Sequence, residues 1–279
     1  MKKYLACLRI PHYLKNLIVF LPLFFNKSIC NGGLLLKTLG GFVVFCCLSS
    51  SIYIINDIND IDYDRLHEKK KNRSIASGEV EVRKAIVLAI SLVVSGFLVC
   101  FLIRTSWVDL IWPMLYFVIN VIYSMGGKHI PIFDISILSA GYPIRLIYGG
   151  EICGISISRW LFLTVICISL FLGIGKRRGE YNREGNITRP VLEKYNQSWL
   201  DGELYMTLGL GIMFYSLWAV EKSINLVYTV PIVLVISMYY SFIITNKNDG
   251  DPINTFIGNK TLALLVVLYI AVLSLLIYL

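Results

Sequence analysis

Histidine is scarce in this chain. His12, His67 and His129 are the three present, and they are scattered, which gives no basis for a histidine-based metal centre. The seven cysteines, at 7, 30, 46, 47, 100, 153 and 167, include no C-x-x-C pair and lie mostly in or beside apolar runs. They read as small buried hydrophobes, not as zinc ligands or a disulfide framework. No polar stretch is long enough to fold as a separate soluble domain. The net charge of +8 therefore makes no case for nucleic acid, because no soluble basic module exists to present a groove-reading element. A cleavable signal peptide is not expected either. The N-terminus is basic (Lys2, Lys3, Arg9), but the apolar run from Leu14 to Phe25 leads to Asn26-Lys27 and not to a small-residue cleavage site.

Apolar length is what the chain has in quantity. Hydrophobic residues make up 56% of it, against about 45–50% in soluble domains. Several runs approach the roughly 20 residues that a membrane helix needs. The expected fold is an all-α polytopic membrane protein, a single transmembrane domain over 1–279 with about nine transmembrane helices. The expected spans are 10–30, 37–57, 82–103, 106–124, 131–150, 159–176, 201–220, 223–245 and 259–279, with Pro11 and Pro22 kinking the first. The long polar connections are 58–81 and 177–200. With the N-terminus inside, all of the 26 Lys and Arg except Lys27, Lys37, Arg104, Arg145, Arg159 and Lys222 fall on the inner side. That satisfies the positive-inside rule, makes both polar connections cytoplasmic and leaves Leu279 outside. The blocks 37–81 and 159–220 repeat one order: apolar helix, polar connection, helix.

Where the second apolar run ends, the chain reads Asn56-Asp57-Ile58-Asn59-Asp60-Ile61-Asp62-Tyr63-Asp64. The spacing i, i+3, i+7 predicts Asp57, Asp60 and Asp64 on one helical face, with Asn56 at its edge. Three carboxylates so placed repel one another unless a cation joins them. Oxygen-only ligands suit Mg²⁺, which takes one or two carboxylates, waters and substrate phosphates. Arg65, Lys69, Lys70, Lys71 and Arg73 follow at once, so acid meets base in the pattern of a metal-plus-diphosphate site. The cluster begins inside the end of an apolar segment, where ionisable groups are costly and mark function.

The second polar connection presents cations where the first presents carboxylates. It reads Gly175-Lys176-Arg177-Arg178-Gly179-Glu180 and continues past Arg189 to Tyr195. Lys as a point charge and Arg as a planar fork both suit phosphate, and Lys176 and Arg177 lie closest to the helix end. Tyr123 and the turn Gly126-Gly127-Lys128 place another cation beside exposed backbone N–H groups. Asp134 and Arg145, eleven residues apart, share a face of the fifth span. Arg145 is read either as a substrate-phosphate contact or as half of a salt bridge with Asp134.

The pattern Asn56-Asp57-x-x-Asp60-x-x-x-Asp64 resembles the first aspartate-rich motif of the UbiA-type intramembrane prenyltransferase superfamily, an intramembrane helical bundle of nine helices. Most members carry a second acidic motif. Here that stretch is Lys176-Arg177-Arg178-Gly179-Glu180, and with Lys128-His129 and Arg145 it is similar to the decaprenyl-phosphate phosphoribosyltransferase branch, from about Arg9 to Tyr195. The resemblance implies a glycosyltransferase that moves 5-phosphoribose from 5-phosphoribosyl 1-diphosphate to a polyprenyl phosphate, for cell-envelope glycan precursors in a bacterial-type membrane. It implies that Asp57, Asp60 and Asp64 bind Mg²⁺ and the donor diphosphate, with Asn56 supporting. Lys69, Arg73, Lys128, Lys176 and Arg177 would hold phosphates, and Glu180 would contact ribose or orient a cation. Lys15, Asn16, Tyr123, Asp134, Arg145, Arg189 and Tyr195 complete the implied substrate-binding set. Two alternatives stand beside it: a UbiA-type transfer of a prenyl group to an aromatic or other small acceptor, and a carrier for a polyprenyl-linked lipid.

Overall fold

The computed structural model describes residues 2–67, 70–184, 190–247 and 251–279. Lys69 and Arg189 lie outside the described residues. Among the described residues every regular element is helical.

Among the described residues, seven helical segments are long and apolar enough to cross a membrane: Gly32–Asn59, Val82–Ile103, Trp107–Met125, Arg159–Asn182, Gln197–Lys222, Ile224–Asn246 and Lys260–Tyr278. Two of the nine expected spans differ from these. The first, Ile10–Phe25, is shorter. It is a 3-10 helix over Ile10–Phe20 followed by a single α turn; Pro11 and Pro22 carry no amide proton and hold it out of a regular helix. The other, Phe133–Cys153, carries Asp134, Arg145 and Glu151 and has Pro143 inside it.

The chain divides into two compact units, 1–130 with 144–156 and 131–143 with 157–279, so the boundary falls beside Pro143. The first unit contains α1 (Lys2–Leu8), the 3-10 segment, α2 (Leu21–Phe25), α3 (Gly32–Asn59), α4 (Ile61–Leu66), α5 (Val82–Ile103), α6 (Ile111–Met125) and the C-terminal half of α7 (Phe133–Cys153). Helix α3 is its axis. The Asn31 side chain starts that helix by accepting the amides of Gly33 and Leu34 at 3.1 and 3.2 Å, a cap worth about 1 kcal/mol. Helix α3 then pairs along its length with α5 and also touches α6 and the 3-10 segment. Phe45 of α3 meets Tyr116 and Tyr148 edge-on, at 5.2 and 5.4 Å between ring centroids.

The second unit contains the N-terminal half of α7, α8 (Arg159–Glu184), α9 (Gln197–Lys222), α10 (Val230–Lys247), α11 (Pro252–Gly258) and α12 (Lys260–Tyr278). Its main pair is α8 with α9, the counterpart of α3 with α5. The repeated order seen in the sequence thus corresponds to one long helix pair per unit. Its core gathers Ile135, Phe171, Ile174, Leu200, Leu204 and Ile244.

One close approach depends on a glycine. A Cβ on Gly149 of α7 would collide with the backbone carbonyl of Val19 in the 3-10 segment. Backbone yields less readily than a side-chain tip, so Gly149→Ala is expected to cost about 1–3 kcal/mol and to lower the apparent Tm in detergent. Gly209→Ala, where nothing lies within 4 Å of the added carbon, is the control and should leave Tm unchanged or slightly raised.

Candidate active site

The acidic stretch does not ride on one continuous helix. Helix α3 stops at Asn59, Asp60 is its C-cap at φ −101° and ψ 9°, and α4 begins at Ile61. Carboxylates at a helix C-terminus oppose the macrodipole, and adjacent carboxylates repel, so the break falls inside the cluster. Asp57 is carried by α3, Asp60 by the joint and Asp64 by α4.

Cations of the same unit reach into this cluster. The Arg73 Nη1 donates to Asp57 Oδ1 at 3.0 Å and to Asp64 Oδ2 at 2.6 Å. The Arg9 Nη2 donates to Asp57 Oδ1 at 2.5 Å, and its guanidinium lies 4.8 Å from the Tyr53 ring centroid. Lys128 Nζ bonds Asp60 Oδ1, and Asn56 Nδ2 donates to Asp60 Oδ2 at 2.9 Å. Asp57 and Asp64 are buried. No three His, Cys, Asp or Glu side chains among the described residues form a ready-made metal cage. One oxygen in the group is unused: Asn56 Oδ1 is buried and accepts no hydrogen bond.

The connection after α4 is not a loose loop. It forms a 3-10 turn at Lys70–Asn72, then buries Ile75 and Val80 with Cys7, Ile54, Ala85 and Ala89. Arg65 Nε donates to the Ala76 carbonyl at 3.2 Å. This anchoring brings Arg73 back onto Asp57 and Asp64.

Arg9 is the residue that sequence reasoning missed as a site member. It has φ 52°, ψ 50° in the joint between α1 and the 3-10 segment. A left-handed non-glycine residue costs about 1–3 kcal/mol and persists where surroundings hold it. Its signal was a lone cation directly before the Ile10-Pro11 break.

Arg145 and Asn16 form a buried node with Tyr116 and Cys46. Arg145 Nε donates to Asn16 Oδ1 at 2.8 Å, and Nη2 donates to the Tyr116 hydroxyl at 2.9 Å. Asn16 Nδ2 reaches Cys46 Sγ at 3.2 Å. Tyr123 is buried on α6 and Lys15 half-buried on the 3-10 segment.

In the second unit the cationic stretch is helical, since α8 continues to Glu184. Lys176, Arg177, Arg178 and Glu180 therefore belong to a helix and not to the expected loop. An i, i+3 pair, Arg177 Nη1 to Glu180 Oε2 at 2.5 Å, supports that extension. Arg177 and Asp134 are both fully buried, joined through Arg177 Nε and Asp134 Oδ2. The partner of Asp134 is thus Arg177, in place of the Arg145 bridge considered from sequence. The Tyr195 hydroxyl donates to Asp134 Oδ1 at 2.6 Å. Burial first, and then this bond, push the Tyr195 phenol above its ordinary range, so it stays a protonated donor at neutral pH. Arg178 pairs with Asp201, and Lys176 lies 3.8 Å from Asp251.

Arg73 is the cation shared by two buried carboxylates. Arg73→Gln is expected to destabilise the ligand-free protein on the order of 1–3 kcal/mol. The figure sits below that of a fully buried pair because the Arg73 side chain is 27% exposed. A thermal unfolding series in detergent measures it, and a Tm equal to wild type contradicts it.

Comparison with known proteins shows the family. The UbiA prenyltransferase family matches residues 28–268. The decaprenyl-phosphate phosphoribosyltransferase of Corynebacterium glutamicum is 30% identical over 280 aligned residues, covering 95% of this chain and 84% of that protein. The Mycobacterium tuberculosis protein of the same name is 29% identical over 238 residues, covering 82% and 78%. A solved UbiA homologue from Archaeoglobus fulgidus, bound to GPP and Mg²⁺, superposes with a TM-score of 0.77 at 19% identity over 99% of both chains. That last likeness is one of fold. With most of its length matched, the chain belongs to the UbiA prenyltransferase family.

Proposed function

We propose that this membrane protein is a Mg²⁺-dependent transferase that moves 5-phosphoribose from 5-phosphoribosyl 1-diphosphate to a polyprenyl phosphate and releases diphosphate, for cell-envelope glycan precursors. The observation that carries the reading is the acid cluster of Asp57, Asp60 and Asp64, neutralised by Arg9, Arg73 and Lys128. It is supported by the cationic Lys176-Arg177-Arg178 where the superfamily's second acidic motif would stand. It is supported also by the names of the relatives. We assign the cluster to the cytoplasmic side, with the N-terminus inside and Leu279 outside; the positive-inside distribution supports that assignment.

The donor set fits Mg²⁺. It is all oxygen, it includes the idle Asn56 Oδ1, and a hard cation prefers such ligands. Asp57, Asp60 and Asp64, with Asn56, would hold the ion. When bound, it neutralises charge on the departing diphosphate as a Lewis acid.

The chain's own cations do the rest of the binding. Arg9, Arg73 and Lys128 each rest on a carboxylate. Three carboxylates against three cations make a cluster near neutrality, so metal alone or diphosphate alone would unbalance it. With both bound, Asp57, Asp60 and Asp64 would hold the metal and the Arg9 and Arg73 guanidiniums would hold phosphate, with few charges left unpaired. Lys176 is assigned to a phosphate and Glu180 to the ribose or to orienting a cation. As the bond to diphosphate lengthens, ribose C1 gains positive character and the lipid phosphate attacks from the opposite face. That nucleophile is already ionised at neutral pH, so no histidine base is required. Positioning and charge stabilisation supply the rate.

The test is an assay of purified protein with radiolabelled 5-phosphoribosyl 1-diphosphate, a polyprenyl phosphate and Mg²⁺. An organic-extractable labelled product that disappears with EDTA is expected. Consumption of a prenyl diphosphate, with phosphoribosyl diphosphate ignored, would overturn the donor assignment. In the same assay Asp57→Ala should insert normally and lose on the order of 10²-fold or more in turnover. Full activity of the folded variant would remove Asp57 from the metal site.

A further inference from the structure

Behind Glu180 in the second unit stands a chain of hydrogen-bonded groups whose middle members, Asp134 and Arg177, are fully buried. It begins at Ile132, a β-branched residue at φ 67°. Such a residue is a steric outlier in the left-handed region, at a cost of about 1–3 kcal/mol, and persists only where its surroundings over-determine it. The Ile132 amide donates to the Tyr195 hydroxyl oxygen at 2.6 Å. That hydroxyl donates onward to Asp134 Oδ1, whose other oxygen takes Arg177 Nε. Arg177 Nη1 ends the chain on Glu180 Oε2 at 2.5 Å. The Tyr195 ring is stacked on Trp199, 5.4 Å between centroids at 21°.

Arg177 and Asp134 have no side-chain exposure, whereas Glu180 retains 17%. A guanidinium so enclosed, with a carboxylate on each side, is poorly placed to receive a substrate phosphate. It is well placed to hold another side chain still, because its planar fork bonds two carboxylates at a fixed angle. A buried ion pair on its own is a weak source of stability, and its retention is better explained by what it orients.

We propose that Tyr195 and Asp134 are positioning residues, which through Arg177 fix the carboxylate of Glu180 for the transfer, and that Arg177 is an internal strut and not a phosphate ligand. The proposal rests on the function proposed above, in that Glu180 works in the reaction.

A double-mutant cycle tests it with whichever donor, phosphoribosyl or prenyl diphosphate, the wild-type protein uses. Tyr195→Phe keeps the ring stack and removes only the hydroxyl. It should lower kcat about tenfold, with KM for both substrates changed less than about threefold. Arg177→Lys, which keeps the charge but replaces the rigid two-nitrogen fork with a single ammonium, should do the same. In a Glu180→Gln background the further loss from Tyr195→Phe should vanish. Losses that multiply in the double variant, or an Arg177→Lys protein with normal kcat and a much higher KM for the donor, would overturn the proposal. Trp199→Leu supplies a second entry to the cycle if Tyr195→Phe does not fold. It removes the ring beside Tyr195 but no hydrogen bond of the relay, and should show a smaller kcat loss that also vanishes with Glu180→Gln. A readout independent of any donor is carbodiimide modification of Glu180 followed by mass spectrometry. Its rate should rise several-fold in Tyr195→Phe, and an unchanged rate contradicts the relay even if the proposed function is itself wrong.

Discussion

The mutual neutralisation of Asp57, Asp60 and Asp64 by Arg9, Arg73 and Lys128 is the interaction on which the first unit depends. Buried carboxylates without partners would be protonated or would unfold the end of α3. The cations that prevent this come from three separate places: the joint after α1, the anchored connection after α4, and the turn after α6. Each is held by its own local device. Arg9 takes a left-handed backbone before Pro11. Arg73 follows from the burial of Ile75 and Val80. Lys128 rides on a 3-10 turn after Gly126. The apolar packing of that end of the unit and its charge balance are therefore one problem with one solution.

The second unit solves a harder problem differently. Arg177 and Asp134 are fully enclosed, so their attraction must offset two desolvations. Tyr195 adds a hydrogen bond to Asp134, and Glu180 accepts one from Arg177. The two units thus hold charge differently: a cluster of three carboxylates and three cations in one, a fully enclosed pair in the other.

Much of this was legible in the sequence. Apolar length predicted the helical membrane architecture, and the Asn56–Asp64 spacing singled out the acid cluster and its basic neighbours. The resemblance to the UbiA superfamily rested on those residues and agrees with the family match. What was not legible has physical reasons. Ideal periodicity carries α3 straight through Asp60, but carboxylates at a helix C-terminus break it there. Polar composition suggested that Lys176–Glu180 lie in a loop, whereas the i, i+3 pair of Arg177 and Glu180 lies on the continuing helix. A bridge between Asp134 and Arg145 is one of the two readings that a shared helical face offers. Spacing along one helix says nothing of a partner arriving from another, and Arg177 arrives from α8. Arg9 is far from the cluster in sequence, and only tertiary structure brings it to Asp57.

The central claim is that the acid cluster is balanced so as to accept metal and diphosphate together. The most direct measurement is calorimetric titration of the purified protein with Mg²⁺, with and without saturating inorganic diphosphate. The account predicts weak binding of Mg²⁺ alone and at least about tenfold tighter binding with diphosphate present, with the reciprocal gain for diphosphate when Mg²⁺ is saturating. Free Mg²⁺ and diphosphate also bind each other, so the titrations are compared at matched free concentrations. Equal affinity for Mg²⁺ with and without diphosphate would contradict it, and the protein's own cations would then have no part in exchanging carboxylate for phosphate.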